Sequence, residues 1–174
     1  MNWHRGIVRG FAWLALLVIA GLLVPGQPTI PVQGATPTDW NPKSFWFEPW
    51  GKSGVHKGID IFAKHGQPVV SATPGIVIYQ GELGIGGNVV AVLGPKWRIH
   101  YYAHLAEPAN ARWLVTTGEH IGAVGTSGNA AGKAPHLHYA VLSVIPLPWR
   151  FSTATQGWKQ MFFLDPGGVL GHGS

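Results

Sequence analysis

The sequence predicts an all-β domain, an antiparallel sandwich or barrel-like fold, preceded by one apolar membrane helix. Three observations carry this. The 174 residues hold 25 Gly and 14 Pro but only 11% charged residues, a composition of tight turns rather than of helices. Short segments rich in β-branched and aromatic residues follow one another closely, each bounded by turn residues. One long charge-free apolar run stands near the N-terminus. With 46% hydrophobic residues the chain can bury a core, so its composition is not that of a disordered protein.

The apolar run comes first. Arg5 and Arg9 precede GFAWLALLVIAGLLV, which runs from Gly10 to Val24 and is closed by Pro25. Extended back through Ile7 and Val8, it approaches the roughly 20 residues needed to span a bilayer. Residues 1–24 therefore read as a signal anchor or a signal peptide. Val24-Pro25-Gly26 is a poor small-residue cleavage site, which favours the anchor. The upstream arginines place the N-terminus on the cytoplasmic side. The remainder is then expected outside the membrane, in the periplasm or cell envelope, or secreted if the segment is cleaved.

Residues 25–44 (PGQPTIPVQGATPTDWNPKS) are rich in Pro, Thr and Gly and read as a semi-extended linker. The globular domain is expected over residues 45–174. Its strand candidates are HKGIDIF, PVVSA, GIVIYQGEL, NVVAVLG, RIHYYAHL, HIGAVG and HLHYAVLS, separated by turn signals such as TPG, GIGGN, LGPKW and TSGNAAGKAP. The segment from Ile145 to Gly168 differs in texture and is expected to wrap the domain or border a cleft. Trp46, Trp50, Trp97 and Trp149 are candidates to line a groove as well as to pack.

Strand geometry gives the chemistry. Residues i, i+2 and i+4 of a strand share a face. His56, Gly58 and Asp60 then point one way, and Ile59 and Ile61 point into the core. Gly58 is expected to leave room for an ion. His136 and His138 share a face, with Leu137 opposite. His100, Tyr102 and His104 are expected to repeat the arrangement. His56, Asp60, His104, His136 and His138 together suffice to hold a zinc ion and leave two imidazoles free for chemistry, because catalytic zinc takes three such ligands and keeps one position open. The residues alone do not decide which imidazole of HLH binds the metal. His100 either lines the cleft or packs in its strand. His65, His120 and His172 sit in turns or the tail and read as surface residues, and His4 has no partner.

The exclusions are equally direct. The chain has no cysteine, so it forms no disulfide and any zinc site must use His and carboxylate. The net charge of +5 includes Arg5 and Arg9; what remains suits an anionic polymer and is too small to argue nucleic acid. GNAAGK lacks the spacing of a phosphate loop, with Ala134 where Ser or Thr is required, and there is no HExxH.

These motifs stand in a familiar order. HKGIDI, GGNVVAVLG, YYAHL, VTTGEHIGAVGTSGNAAGKAPHLHYAV and FLDP are collinear with, and resemble, the lysostaphin-like (LytM-type) zinc metallopeptidases over about residues 45–167. The resemblance implies a β-rich duplicated hybrid motif fold and a zinc-dependent endopeptidase that cuts the peptide cross-links of bacterial peptidoglycan. It implies His56, Asp60 and His138 as zinc ligands, and His104 and His136 as the catalytic pair. Water activated by the zinc would be the nucleophile, with one of the pair as general base and the other stabilising the oxyanion. Tyr101 or Tyr102 is expected to add a hydrogen bond. Two alternatives are a non-catalytic regulator of other wall hydrolases, which the five intact positions disfavour, and a zinc peptidase for a secreted protein or peptide.

Overall fold

Backbone pairing defines nine strands among the described residues. They are β1 (Ile59–Phe62), β2 (Pro68–Val70), β3 (Gly75–Glu82), β4 (Asn88–Gly94), β5 (Arg98–Leu105), β6 (Leu114–Val115), β7 (His120–Ala123), β8 (His136–Ser143) and β9 (Phe163–Leu164). The structure is a computed structural model that describes the backbone of residues 3–171 and the side chains of residues 6–171. His172 and the side chain of His4 lie outside the described residues. Among the described residues two α-helices, α1 (Trp3–Leu23) and α2 (Pro166–Val169), flank the strands.

All strand pairs are antiparallel. One sheet runs in the order β1-β8-β5-β4-β3-β6, with β9 paired to β8; the second is the pair β2-β7. The expected antiparallel two-sheet β architecture is therefore present. The core lies between the sheets: Ile59, Ile61, Val90, Val92, Tyr102, Leu137, Tyr139 and Val141 from the large sheet meet Val69 and Ile121 from the small one. Every strand candidate of the sequence forms a strand over at least part of its length. The two-residue strands β6 and β9 were not among those candidates, because two residues are too few to show a period.

Two expectations about local structure are corrected. The strand expected from His56 begins only at Ile59. His56 sits just ahead of it, its backbone held by Trp46 N to His56 O at 2.7 Å and His56 N to Phe47 O at 3.0 Å. The expected linker is in good part docked. Thr29 N donates to Ala72 O, Val70 N to Pro31 O and Gln33 N to Pro68 O, all within 3.0 Å, and Val32 bridges Val69. Val32 and Trp40 are buried in the core. The proline content misled here: an edge segment beside β2 needs few ladder donors, so proline is tolerated.

α1 is long and apolar enough to cross a membrane over Gly6–Leu23, and that stretch is not buried in the protein. It touches the domain where the Trp97 indole donates to the Val18 carbonyl at 2.9 Å and its ring lies over Gly21. At the other end of the chain, the FLDP sequence caps α2. Asp165 Oδ1 accepts from Gly167 N at 3.0 Å, and Pro166 takes the first helical position, where no donor is needed.

Candidate metal centre

The site is built on the outer face of β1, β8 and β5, opposite the core. Asp60 and Phe62 of β1 and His136, His138, Ala140 and Leu142 of β8 all open onto one cleft of about 580 Å³. These are the even-numbered residues of both strands, as the two-residue period requires. The register sets Asp60 directly opposite His138.

On β5 the expectation fails in an informative way. His100 and Tyr102 share a face, but that face is the core. The cleft face carries Tyr101 and Ala103, the odd residues. His104 still reaches the cleft because its backbone leaves the strand conformation, with φ at +65°. For a residue with a Cβ that conformation is strained, and strain of this kind is held where function needs a direction the regular strand does not supply. His100 is packed, with Nδ1 2.6 Å from the Tyr139 hydroxyl. Burial, followed by the Arg98 charge, pushes its pKa down to about 4.

Three ligand atoms converge. His56 Nε2 is 3.1 Å from Asp60 Oδ1 and 3.2 Å from His138 Nδ1, and His138 Nδ1 is 2.9 Å from the same carboxylate oxygen. Together they form a group able to hold a metal ion. The edge of a tetrahedron with ligands about 2.05 Å from zinc is roughly 3.3 Å, close to these separations. Two imidazoles and one carboxylate are a donor set that catalytic zinc takes. The tautomer agrees: His56 Nδ1 is 3.0 Å from the Ser44 carbonyl, which can only accept, so Nδ1 carries the proton and Nε2 offers its lone pair. Trp50 stacks on the His56 ring at 4.1 Å and fixes its plane.

The role of Gly58 is corrected here. A Cβ at Gly58 would stand 2.5 Å from the Tyr139 carbonyl and 2.8 Å from His138 Cε1. Gly58 thus makes room for β8 and the His138 ring rather than for the ion itself.

His104 and His136 stand beside this group. Their ring centroids are 5.1 Å apart, and His104 is 6.0 Å from His138. Each has its Nδ1 on a backbone carbonyl, Ser127 at 2.9 Å for His104 and Ala134 at 2.7 Å for His136. In the neutral ring each therefore carries its proton on Nδ1 and has its lone pair on Nε2. His136 Nε2 lies 3.9 Å from Asp60 Oδ2.

Electrostatics sharpen the arrangement. Burial alone would push the Asp60 carboxyl up; its close contacts with the His138 and His56 imidazoles outweigh burial and hold the group well below the usual carboxylate range. Burial, then the neighbouring His138 and His136, lowers His104 to about 4, against weaker support from the Ser127 carbonyl and Asp60. Burial also lowers His138, opposed by Asp60. Tyr101, which lines the cleft, is pushed up to about 12 by burial and Tyr79, so its phenol remains a donor.

The turn TSGNAAGKAP borders the cleft through Asn129, Lys133 and Ala134, as expected from sequence. Phe163 of the C-terminal segment also borders it. Among the tryptophans singled out, Trp50 lines the cleft, whereas Trp97 meets α1 and Trp149 is exposed. Trp46 packs against Phe45 and Phe163, with its indole on the Thr155 carbonyl. Tyr102 belongs to the core, its hydroxyl accepting from Ala72 N. His65 and His120 are exposed. The carbonyls of Ser44, Ser127 and Ala134 had no signal in the sequence, since any residue type supplies a carbonyl.

Fold and site define a class: a two-sheet antiparallel β protein with a two-histidine, one-carboxylate metal group at the floor of an open cleft. The chain belongs to peptidase family M23, whose profile matches residues 54–145, half of the chain. It is 38% identical over 114 residues to the L-Ala–D-Glu endopeptidase of Bacillus subtilis, an alignment covering 60% of this chain and 35% of that protein. It is 39% identical over 85 residues to the DD-carboxypeptidase/endopeptidase Mpg of Neisseria meningitidis, covering 49% of this chain and 19% of that one. The match thus spans about a third or less of these curated relatives. Among solved structures, the catalytic domain of the antimicrobial peptidase lysostaphin from Staphylococcus simulans superposes with a TM-score of 0.56 at 27% identity, covering 71% of this chain and 85% of that one. The family resemblance read from the motifs is borne out.

Proposed function

We propose that this chain is a zinc-dependent endopeptidase that cuts peptide cross-links of bacterial peptidoglycan outside the cytoplasmic membrane. The observation that carries the reading is the convergence of His56, Asp60 and His138 beside two further imidazoles, His104 and His136, each anchored through Nδ1 to a backbone carbonyl. The relatives named for peptidoglycan-type bonds, L-Ala–D-Glu and DD, support the substrate class. α1 supports a membrane anchor over residues 1–24, with the catalytic domain starting by Thr29 and running to the C-terminal segment.

His56 through Nε2, Asp60 through Oδ1 and His138 through Nδ1 would hold the zinc. When bound, zinc supplies a Lewis acid for the scissile carbonyl and brings the pKa of water toward about 7. The remaining work falls to the protein. His104 and His136 both line the cleft with Nδ1 on a backbone carbonyl, and burial keeps His104 neutral down to about pH 4. One of the pair takes the proton of the attacking water. The other takes a proton at Nε2 from bulk water and donates it as a hydrogen bond to the oxygen on which negative charge develops, while the first returns its proton to the leaving amine. The Tyr101 phenol adds a donor on the β5 side. Phe62, Ile85 and Phe163 give the cleft apolar walls that orient a peptide and limit water.

The test is digestion of purified peptidoglycan by the zinc-loaded full chain in detergent, with mass spectrometry of the released fragments. New peptide termini within the cross-links are the expected result. Intact sacculi after exposure to folded, zinc-loaded protein would overturn the reading.

A further inference from the structure

The charged groups lining the cleft are unbalanced. Asp60 is its one carboxylate among the described residues, and three imidazoles already face that group. Lys57 and Lys133 also line the cleft. Lys57 is the more tightly placed. Its ammonium is 3.1 Å from the Ser53 carbonyl and 3.4 Å from that of Val55. An ammonium carries three protons. Two carbonyls use two of them, and one is left for an acceptor in the cleft.

A second cation is tied to the same carbonyl. Gln156 Nε2 donates to Ser53 O at 2.9 Å, and Lys159 donates to Gln156 Oε1 at 2.8 Å. The Lys159 ammonium also lies 5.5 Å from the centre of the Trp158 ring. Among the described residues neither lysine has a carboxylate within ion-pair distance; every such pair belongs to Asp60. Two cations are thus held by neutral acceptors alone, which leaves their charge available to an incoming anion.

We propose that Lys57, backed by Lys159, forms a carboxylate-binding subsite that selects peptides bearing a free carboxylate close to the bond that is cut. Lys57 lines the same cleft as His56, Asp60 and His138, so the subsite and the metal group face one bound peptide. This rests on the peptide-hydrolase reading of the same cleft. The C-terminal segment then shapes specificity, since Gln156 and Lys159 both come from it.

The probe is purified peptidoglycan in two forms, one with its free carboxyls intact and one with them converted to primary amides. The zinc-loaded full chain in detergent should release fragments about tenfold faster, or more, from the carboxylate form, the scale of one charge-assisted hydrogen bond. In Lys57→Gln and in Lys57→Met that ratio should fall toward one. A purely structural role for Lys57 predicts instead that rates on both forms drop together and the ratio survives; that result, or equal rates with the native chain, overturns the proposal. Pelleting of zinc-loaded His104→Ala with each form separates this from the broader reading. If neither form is digested by the native chain, the endopeptidase reading fails. Preferential pelleting with the carboxylate form, lost on adding Lys57→Gln, would still uphold the subsite, and equal pelleting would sink it.

Discussion

Gly58→Ala probes how the fold builds the metal group without substituting a ligand. The added Cβ would meet the Tyr139 carbonyl at 2.5 Å, where ordinary contact begins at 3.4 Å, so the two must separate by about 0.9 Å. Both belong to the backbone, Gly58 immediately ahead of β1 and Tyr139 within β8, so neither can simply rotate away. Overpacking of this kind costs about 1–3 kcal/mol. The separation acts where Asp60 faces His138, and their 2.9 Å contact must open. Disturbing the supports of a metal ligand typically costs about 10–100-fold in affinity. Zinc affinity is read by competition with a chromogenic chelator, and stability by thermal unfolding with and without zinc. Gly168→Ala is the control, since its Cβ would find only Asp165 Oδ2, at 3.7 Å. Zinc affinity of Gly58→Ala within about threefold of the parent, with an unchanged unfolding midpoint, would refute the packing argument.

Three further outcomes are expected. In the metal-free protein, stability should fall as pH drops from about 6.5 to about 4. Burial first of all lowers His100 and His104 to about 4 in the fold, while the unfolded chain binds protons from about 6.5 downward. The unfolded state holds more protons in that window, so stability rises with pH there, by up to about 1.4 kcal/mol per pH unit for each histidine; chemical denaturation across the window checks it, and a flat profile would contradict it. Val32→Ala should destabilise the domain by roughly 2 kcal/mol, for two buried methyl groups and the cavity they leave. A true linker would show no change in the urea midpoint. The full chain should fractionate with membranes and resist extraction by salt or carbonate; a soluble product beginning near Gln27 would point to cleavage.

Much of this architecture was legible because two-residue periodicity is strong in β1 and β8. His136, His138 and Asp60 face the cleft, and Leu137, Ile59 and Ile61 face the core, as alternation requires. The same rule failed on β5, where the positive φ of His104 reverses the side to which it points. No pattern of residue types announces that reversal. The stretch before residue 45 was misread because its prolines hide two core residues, Val32 and Trp40, spaced too far apart to form a period. The orientation of each imidazole depends on the carbonyls of Ser44, Ser127 and Ala134, which are brought in by turns and by distant chain segments. The link between Lys57 and Lys159 was likewise unreadable, since it runs through Ser53 and Gln156.

The central claim is a division of labour, with His56, Asp60 and His138 holding the metal and His104 and His136 moving protons. The most direct measurement sets zinc content beside peptidoglycan digestion for His104→Ala and His138→Ala, both dialysed against buffer with trace zinc. The account predicts one zinc per chain and no digestion for His104→Ala, and neither zinc nor digestion for His138→Ala. Loss of zinc from His104→Ala, or digestion by either variant at the native rate, would contradict it.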